Sequence, residues 1–112
     1  MFNWFGKKQY TKEEEQILNV GLNIAAKRLS RPIQKELQEQ FPGLTTKQLD
    51  EYNSICQKVA NFGFNEVHKL VRTKGTSLKV KDLKPKVTPK YPWVTDDNIL
   101  SLITFGIYMS ER

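Results

Sequence analysis

The side chains able to do covalent or acid–base chemistry are few: one histidine, His68, and one cysteine, Cys56. A nucleophile and its base must sit within hydrogen-bond reach. These two are 12 positions apart on one apolar-striped segment. If that segment is a single helix, roughly 18 Å of rise separates them. One histidine and one cysteine also leave no zinc set of the common Cys/His types. No phosphate-cradling glycine loop, dinucleotide fingerprint or nucleophile elbow occurs. The acids Glu13, Glu14 and Glu15 cluster directly after Thr11, where a helix start explains them. The expected class is therefore non-enzymatic, with no cofactor and no metal.

The chemistry that remains is electrostatic. Lys69 to Lys90 holds eight basic residues (Lys69, Arg72, Lys74, Lys79, Lys81, Lys84, Lys86 and Lys90) against the single acid Asp82. Residues 1–68 carry nine basic and eight acidic side chains, and 91–112 carry one and three. The formal +6 is thus distributed as +1, +7 and −2. Such concentration suggests a surface that faces something negative. With Tyr91 and Trp93 at its end, the stretch has the composition of a backbone-tracking nucleic-acid arm with aromatics for base stacking. Against that, base edges are read most often by arginine forks, and Arg72 is the only arginine in it. The preferred reading is a connector: Leu78, Val80, Leu83 and Val87 pack on the helices, the lysines stay solvated, and Tyr91 and Trp93 anchor its far end into the core.

The elements that would position these residues are helices. Thr11 with Glu14 forms a capping box, and Ile17, Leu18, Gly21, Leu22, Ile24, Ala25 and Leu29 keep a helical stripe. A second helix is expected from about Pro32, behind Ser30 as cap, with Ile33, Leu37 and Phe41 recurring every four residues until Pro42-Gly43. Thr45 or Thr46, with Gln48, starts a third that runs to Lys74-Gly75, with a kink or break expected at Phe62-Gly63-Phe64. Pro85, Pro89 and Pro92 argue against a helix in 75–94, leaving an extended connector. Any strand is confined to Leu78–Lys81 or Lys86–Thr88. Thr95 then caps a last helix, whose Ile99, Leu100, Leu102, Ile103, Phe105, Ile107 and Met109 cover most of its girth.

The second and third helices have the spacing of a helix-turn-helix, but Asp50 and Glu51 on the presented face repel phosphate. The turn Phe41-Pro42-Gly43-Leu44 is similar to the Phe-Pro turn of ubiquitin-binding CUE domains. Gln40 stands where that family has methionine, and the third-helix dileucine is missing, so the chain departs from that family.

At 112 residues one domain, 1–112, is expected. A lone cysteine excludes an internal disulfide, and Met1–Lys8 does not read as a secretory leader. The expected compartment is the cytoplasm. The arm at 1–10 carries Phe2, Trp4 and Phe5 ahead of Lys7 and Lys8. It reads either as aromatics laid over the bundle or as a weak peripheral anchor on an anionic membrane.

The expected fold is all-α: a compact bundle of about four helices with a long third helix, a mostly apolar C-terminal helix and an extended Lys/Pro-rich connector at 75–94. The expected function is a protein-binding module of regulatory, adaptor or toxin-neutralising type. Lys79, Lys81, Lys84, Lys86 and Lys90 would steer an acidic partner, and Tyr91 and Trp93 would be the desolvated anchors. Sequence-tolerant nucleic-acid binding through the same stretch is the alternative. A homodimer through the last helix, using Leu102, Phe105 or Met109, is a further expectation.

Overall fold

The computed structural model describes residues 9–111 and is all-helical, with no strand among the described residues. Its elements are α1 (Lys12–Lys27), α2 (Gln34–Gln40), α3 (Thr46–Lys74), α4 (Val80–Val87) and α5 (Asp96–Ser110). Three starts follow from local chemistry. Thr11 Oγ1 accepts from Glu14 N at 3.1 Å while Thr11 N donates to Glu14 Oε1 at 2.8 Å. Thr45 and Gln48 repeat that reciprocal box at 3.1 and 2.9 Å. Thr95 Oγ1 accepts from Asn98 N at 3.3 Å. Each satisfies backbone donors that a helix start otherwise leaves open.

The long α3 is continuous through Gly63, where a break was expected. The reason is packing. A Cβ on Gly63 would lie 2.8 Å from Leu102 Cδ1, and one on Gly106 would lie 2.9 Å from Val67 Cγ1. Each glycine is thus the seat for a bulky side chain of the opposite helix, and α3 and α5 cross with their backbones close. Gly21 plays the same part on α1, where a Cβ would meet Cys56 Sγ at 2.8 Å. From Gly63–Leu102 through Val67–Gly106 to His68–Ser110, rising numbers on α3 meet rising numbers on α5, so the two run in the same direction. Asn19 with Asn98 and Asn23 with Ser101 relate α1 to α5 in the same sense.

Helices that run the same way need returns between them, and α2 and α4 are those returns. The first follows a sharp stop. Ser30 N donates to Ala25 O at 2.8 Å and Leu29 N to Ala26 O at 3.2 Å, a Schellman closure of α1. Leu29 and Ser30 hold φ of 55° and 69°, a left-handed bend usually left to glycine. Side chains of α3 fix it. Asn61 Oδ1 accepts from Ser30 Oγ (2.9 Å), Gln57 Nε2 donates to Arg31 O (2.7 Å), and Asn53 Oδ1 accepts from Ile33 N (3.1 Å). The second helix consequently starts at Gln34 behind Ile33, with no side-chain cap of its own and no role for Ser30 as cap.

The second return corrects the largest sequence expectation. Residues 80–87 are helical despite Pro85, although an interior proline costs about 3 kcal/mol. Val80, Leu83 and Val87 lie at i, i+3 and i+7, and Leu83 and Val87 are fully buried, worth about 1.5–3 kcal/mol each. Burial against α3 and α5 outweighs the proline. The segment after it is pinned to α1: Asn19 Nδ2 donates to Trp93 O at 2.9 Å, and Asn19 Oδ1 accepts from Thr95 N at 3.1 Å. Asn98, buried to 4% exposure, completes the joint by donating to Asn19 O and Oδ1 at 2.9 and 2.8 Å.

Candidate binding surface

With Leu83 and Val87 turned inward, α4 displays Lys81, Lys84, Pro85 and Lys86 to solvent, behind an exposed Lys79. The basic stretch is therefore a ridge on a short helix rather than an extended strap. Asp82 ties the ridge down. Its Oδ2 accepts from Lys79 N at 2.8 Å, and its Oδ1 lies 3.6 Å from Lys74 Nζ at the end of α3. The Lys79 N–H foremost, and the Lys74 ammonium behind it, hold the Asp82 carboxyl below the usual carboxylate range. Lys84 Nζ reaches Asp96 Oδ1 at 3.0 Å, joining α4 to the first turn of α5. Lys81, Lys86 and Arg72 enter no ion pair among the described residues.

The end of the stretch turns the other way. Lys90 Nζ stands 4.7 Å above the Phe62 ring and 5.8 Å from that of Tyr91. Phe62 and Tyr91 meet edge-on at 5.6 Å, and Tyr91 meets Trp93 at 6.5 Å. Trp93 is only 8% exposed and belongs to the core, while Tyr91 is half-buried with its hydroxyl pushed upward by burial. The structure thus groups Lys90, Tyr91 and Trp93 as an aromatic joint with Lys90 exposed, Tyr91 half-buried and Trp93 buried. Trp93 has no outward ring to serve as a surface anchor.

The exposed large apolar side chains lie elsewhere, on α5: Leu100 (50%), Tyr108 (55%) and Met109 (40%). Leu100, Thr104 and Tyr108 succeed one another at four-residue intervals along its outer side. The expectation that apolar residues bury most of this helix holds at Ile99, Leu102 and Ile103 and fails at Leu100 and Met109. Of the residues expected at a dimer seam, Leu102 is fully buried in its Gly63 seat and Phe105 is half-buried on the core. Thr104 and Tyr108 stand, with Ser101, on the narrow face that the apolar pattern leaves over, so that part of the ridge is legible in the sequence; the exposure of Leu100 and Met109 is not, because their type predicts burial.

The two side chains singled out for covalent chemistry lie in different surroundings, Cys56 buried and His68 exposed. The Cys56 thiol donates to Leu18 O at 3.4 Å, and burial pushes its ionisation up, which suppresses thiolate reactivity. His68 Nδ1 lies 3.2 Å from Ser110 Oγ on the surface. No group of three His, Cys, Asp or Glu is placed to hold a metal ion among the described residues. A shallow cleft of about 460 Å³ beside α1, lined by Asn19, Val20, Asn23, Ile24 and Thr95 among others, contains no titratable side chain. The face expected of a helix-turn-helix is engaged by the α2 return: Asp50 Oδ1 accepts from Gln34 Nε2 at 3.2 Å, and Asn53 holds Ile33 N. Phe2, Trp4, Phe5, Lys7 and Lys8 lie outside the described residues. No helix among the described residues is long and apolar enough to cross a membrane.

No protein-family model matches the chain, and no curated protein or solved structure matches it.

Proposed function

We propose that the chain is a small cytoplasmic, non-catalytic binding module that presents the α4 lysine ridge to an acidic protein. The observation that carries this reading is the imbalance on that ridge. Lys84 is matched by Asp96, and Asp82 by Lys74 at the end of α3, whereas Lys81 and Lys86 of α4 enter no ion pair among the described residues. Concentrated like charge works against the compact state and favours encounter with an opposite surface. Ammonium groups on a rigid helix suit carboxylates, which need no bidentate arginine fork.

The test is a titration with labelled poly-L-glutamate and with duplex DNA, at ~50 and ~200 mM salt, a range over which exposed charge pairs weaken. A Lys79/Lys81/Lys84/Lys86→Gln variant runs alongside. The expected result is saturable binding of the acidic polypeptide that the variant loses. Micromolar DNA binding with a log–log salt slope near −4.5, as about five phosphate contacts produce, would instead make the ridge a nucleic-acid surface.

A further inference from the structure

The ridge lacks the apolar anchor that most stable protein contacts have at their centre. Trp93 and Tyr91 do not supply it, because their rings pack inward. The α5 ridge does. Asp96 lies one turn before Leu100, and Lys84 Nζ sits on Asp96 at 3.0 Å. The lysine side of α4 therefore adjoins the Leu100 end of the exposed strip, and Thr104 and Tyr108 continue it. Lys81, one turn before Lys84 on α4, extends the cationic border.

We propose that the outer ridge of α5 is the apolar half of this docking surface and that its occupant is an acidic amphipathic helix of another protein. This rests on the reading of α4 as a contact for an acidic protein. The occupant crosses α5 over Leu100, Thr104 and Tyr108, with its carboxylates toward Lys81 and toward Lys84, which they share with Asp96. Two acids on the strip decide its shape. Asp97 and Glu111 are both exposed and stand 14 residues apart, roughly 21 Å along the helix. A crossing helix, about 10–12 Å wide, passes between them. A lipid surface is flat and meets both, so the acids that flank the strip turn an anionic membrane away.

The probe is a synthetic Glu/Leu peptide of about 18 residues, some 27 Å long as a helix. Its apolar residues fall on one face, and a scrambled peptide of the same composition is the control. The expected result is binding of the amphipathic peptide about tenfold tighter than the scramble. Leu100→Ser and Tyr108→Ser should each weaken it by about tenfold, the size of a modest hot spot. Thr104→Glu removes no packed atom and should have the same effect by repulsion, which guards against a Leu100 variant that fails for want of folding. Lys81→Gln/Lys84→Gln should weaken both peptides and flatten their salt dependence. Equal affinity for the two peptides, or binding untouched by all three α5 changes, overturns the inference and leaves the lysine-ridge reading standing. Failure of both peptides and of poly-L-glutamate overturns the two together. Preference for phosphatidylserine vesicles or duplex DNA overturns the inference, as does a protein dimer, seen by sedimentation without peptide, that Tyr108→Ser dissociates.

Discussion

The two returns, α2 and α4, solve one problem with different chemistry. Each return lays two apolar side chains into the core, Ile33 at the start of α2 and Leu37 within it in one case and Leu83 and Val87 of α4 in the other. Around α2 the polar work is done mainly by neutral groups, with Asn53, Gln57 and Asn61 of α3 each bonded to the turn that precedes it. One ion pair, Arg28–Glu36 at 2.9 Å, adds to it. Around α4 the ties are charged, through Asp82 and Asp96, and cations are left over. Neutral hydrogen bonds use up the groups that make them, so the α2 return is a finished structural joint. A charged joint with surplus of one sign keeps a field pointing outward.

That contrast can be broken or sharpened by substitution. The largest effect falls equally on both: Leu37→Ala and Leu83→Ala should each cost about 2–5 kcal/mol in urea unfolding, and a marked inequality would refute equal apolar anchoring. Stability should also respond at both ends of the pH scale, through Tyr52 of α3 in base and Asp82 of α4 in acid. Burial first, and Glu14 and Glu13 next, push Tyr52 up to about 12. Its unfolded form ionises near pH 10, so stability is intact below that and falls as pH rises toward 12. Tyr52→Phe should remove that fall, read as a urea midpoint that no longer drops between about pH 10 and 12. Asn53→Ala leaves Ile33 N–H without its acceptor and should cost about 1–3 kcal/mol, with little response to salt. Pro85→Ala should move the other way, raising stability by about 1 kcal/mol by restoring a helical donor. Smallest are the charged ties. Lys84→Gln should cost less than about 1 kcal/mol, and less still at high salt. The depressed Asp82 carboxylate keeps its contribution above the ordinary aspartate range and loses it as pH falls below about 4. Amide exchange at Lys79 should accelerate in that acid window.

What was legible in the sequence was local. The boxes at Thr11–Glu14 and Thr45–Gln48 span three residues and need nothing from the rest of the chain. The helix penalty that argues for a break at Gly63 is local, whereas Leu102, the reason for the glycine, is 39 positions away. The α4 helix was written in Val80, Leu83 and Val87, but Pro85 spoke against it, and only burial on two other helices settles that conflict. For the candidate surface, the exposure of the lysines could be read from their type. Which of them find an acid could not, since Asp96 reaches Lys84 across a turn that the prolines obscure. Nor could the Asn19–Asn98 joint, whose partners are 79 positions apart.

The seating of α5 on α3 alternates: Gly63 then Val67 on one helix, Leu102 then Gly106 on the other. This acts as a key in a lock with two wards. Advancing α5 by one turn would drive Leu102 against Val67, bulk on bulk; retracting it would set Gly106 opposite Gly63 and open a void. Overlap and cavity each cost kilocalories, so the one-turn ratchet that many helix pairs use to switch is closed to this pair. Leu100 and Tyr108 therefore keep fixed latitudes along α3, and a partner that reads them reads an invariant scale.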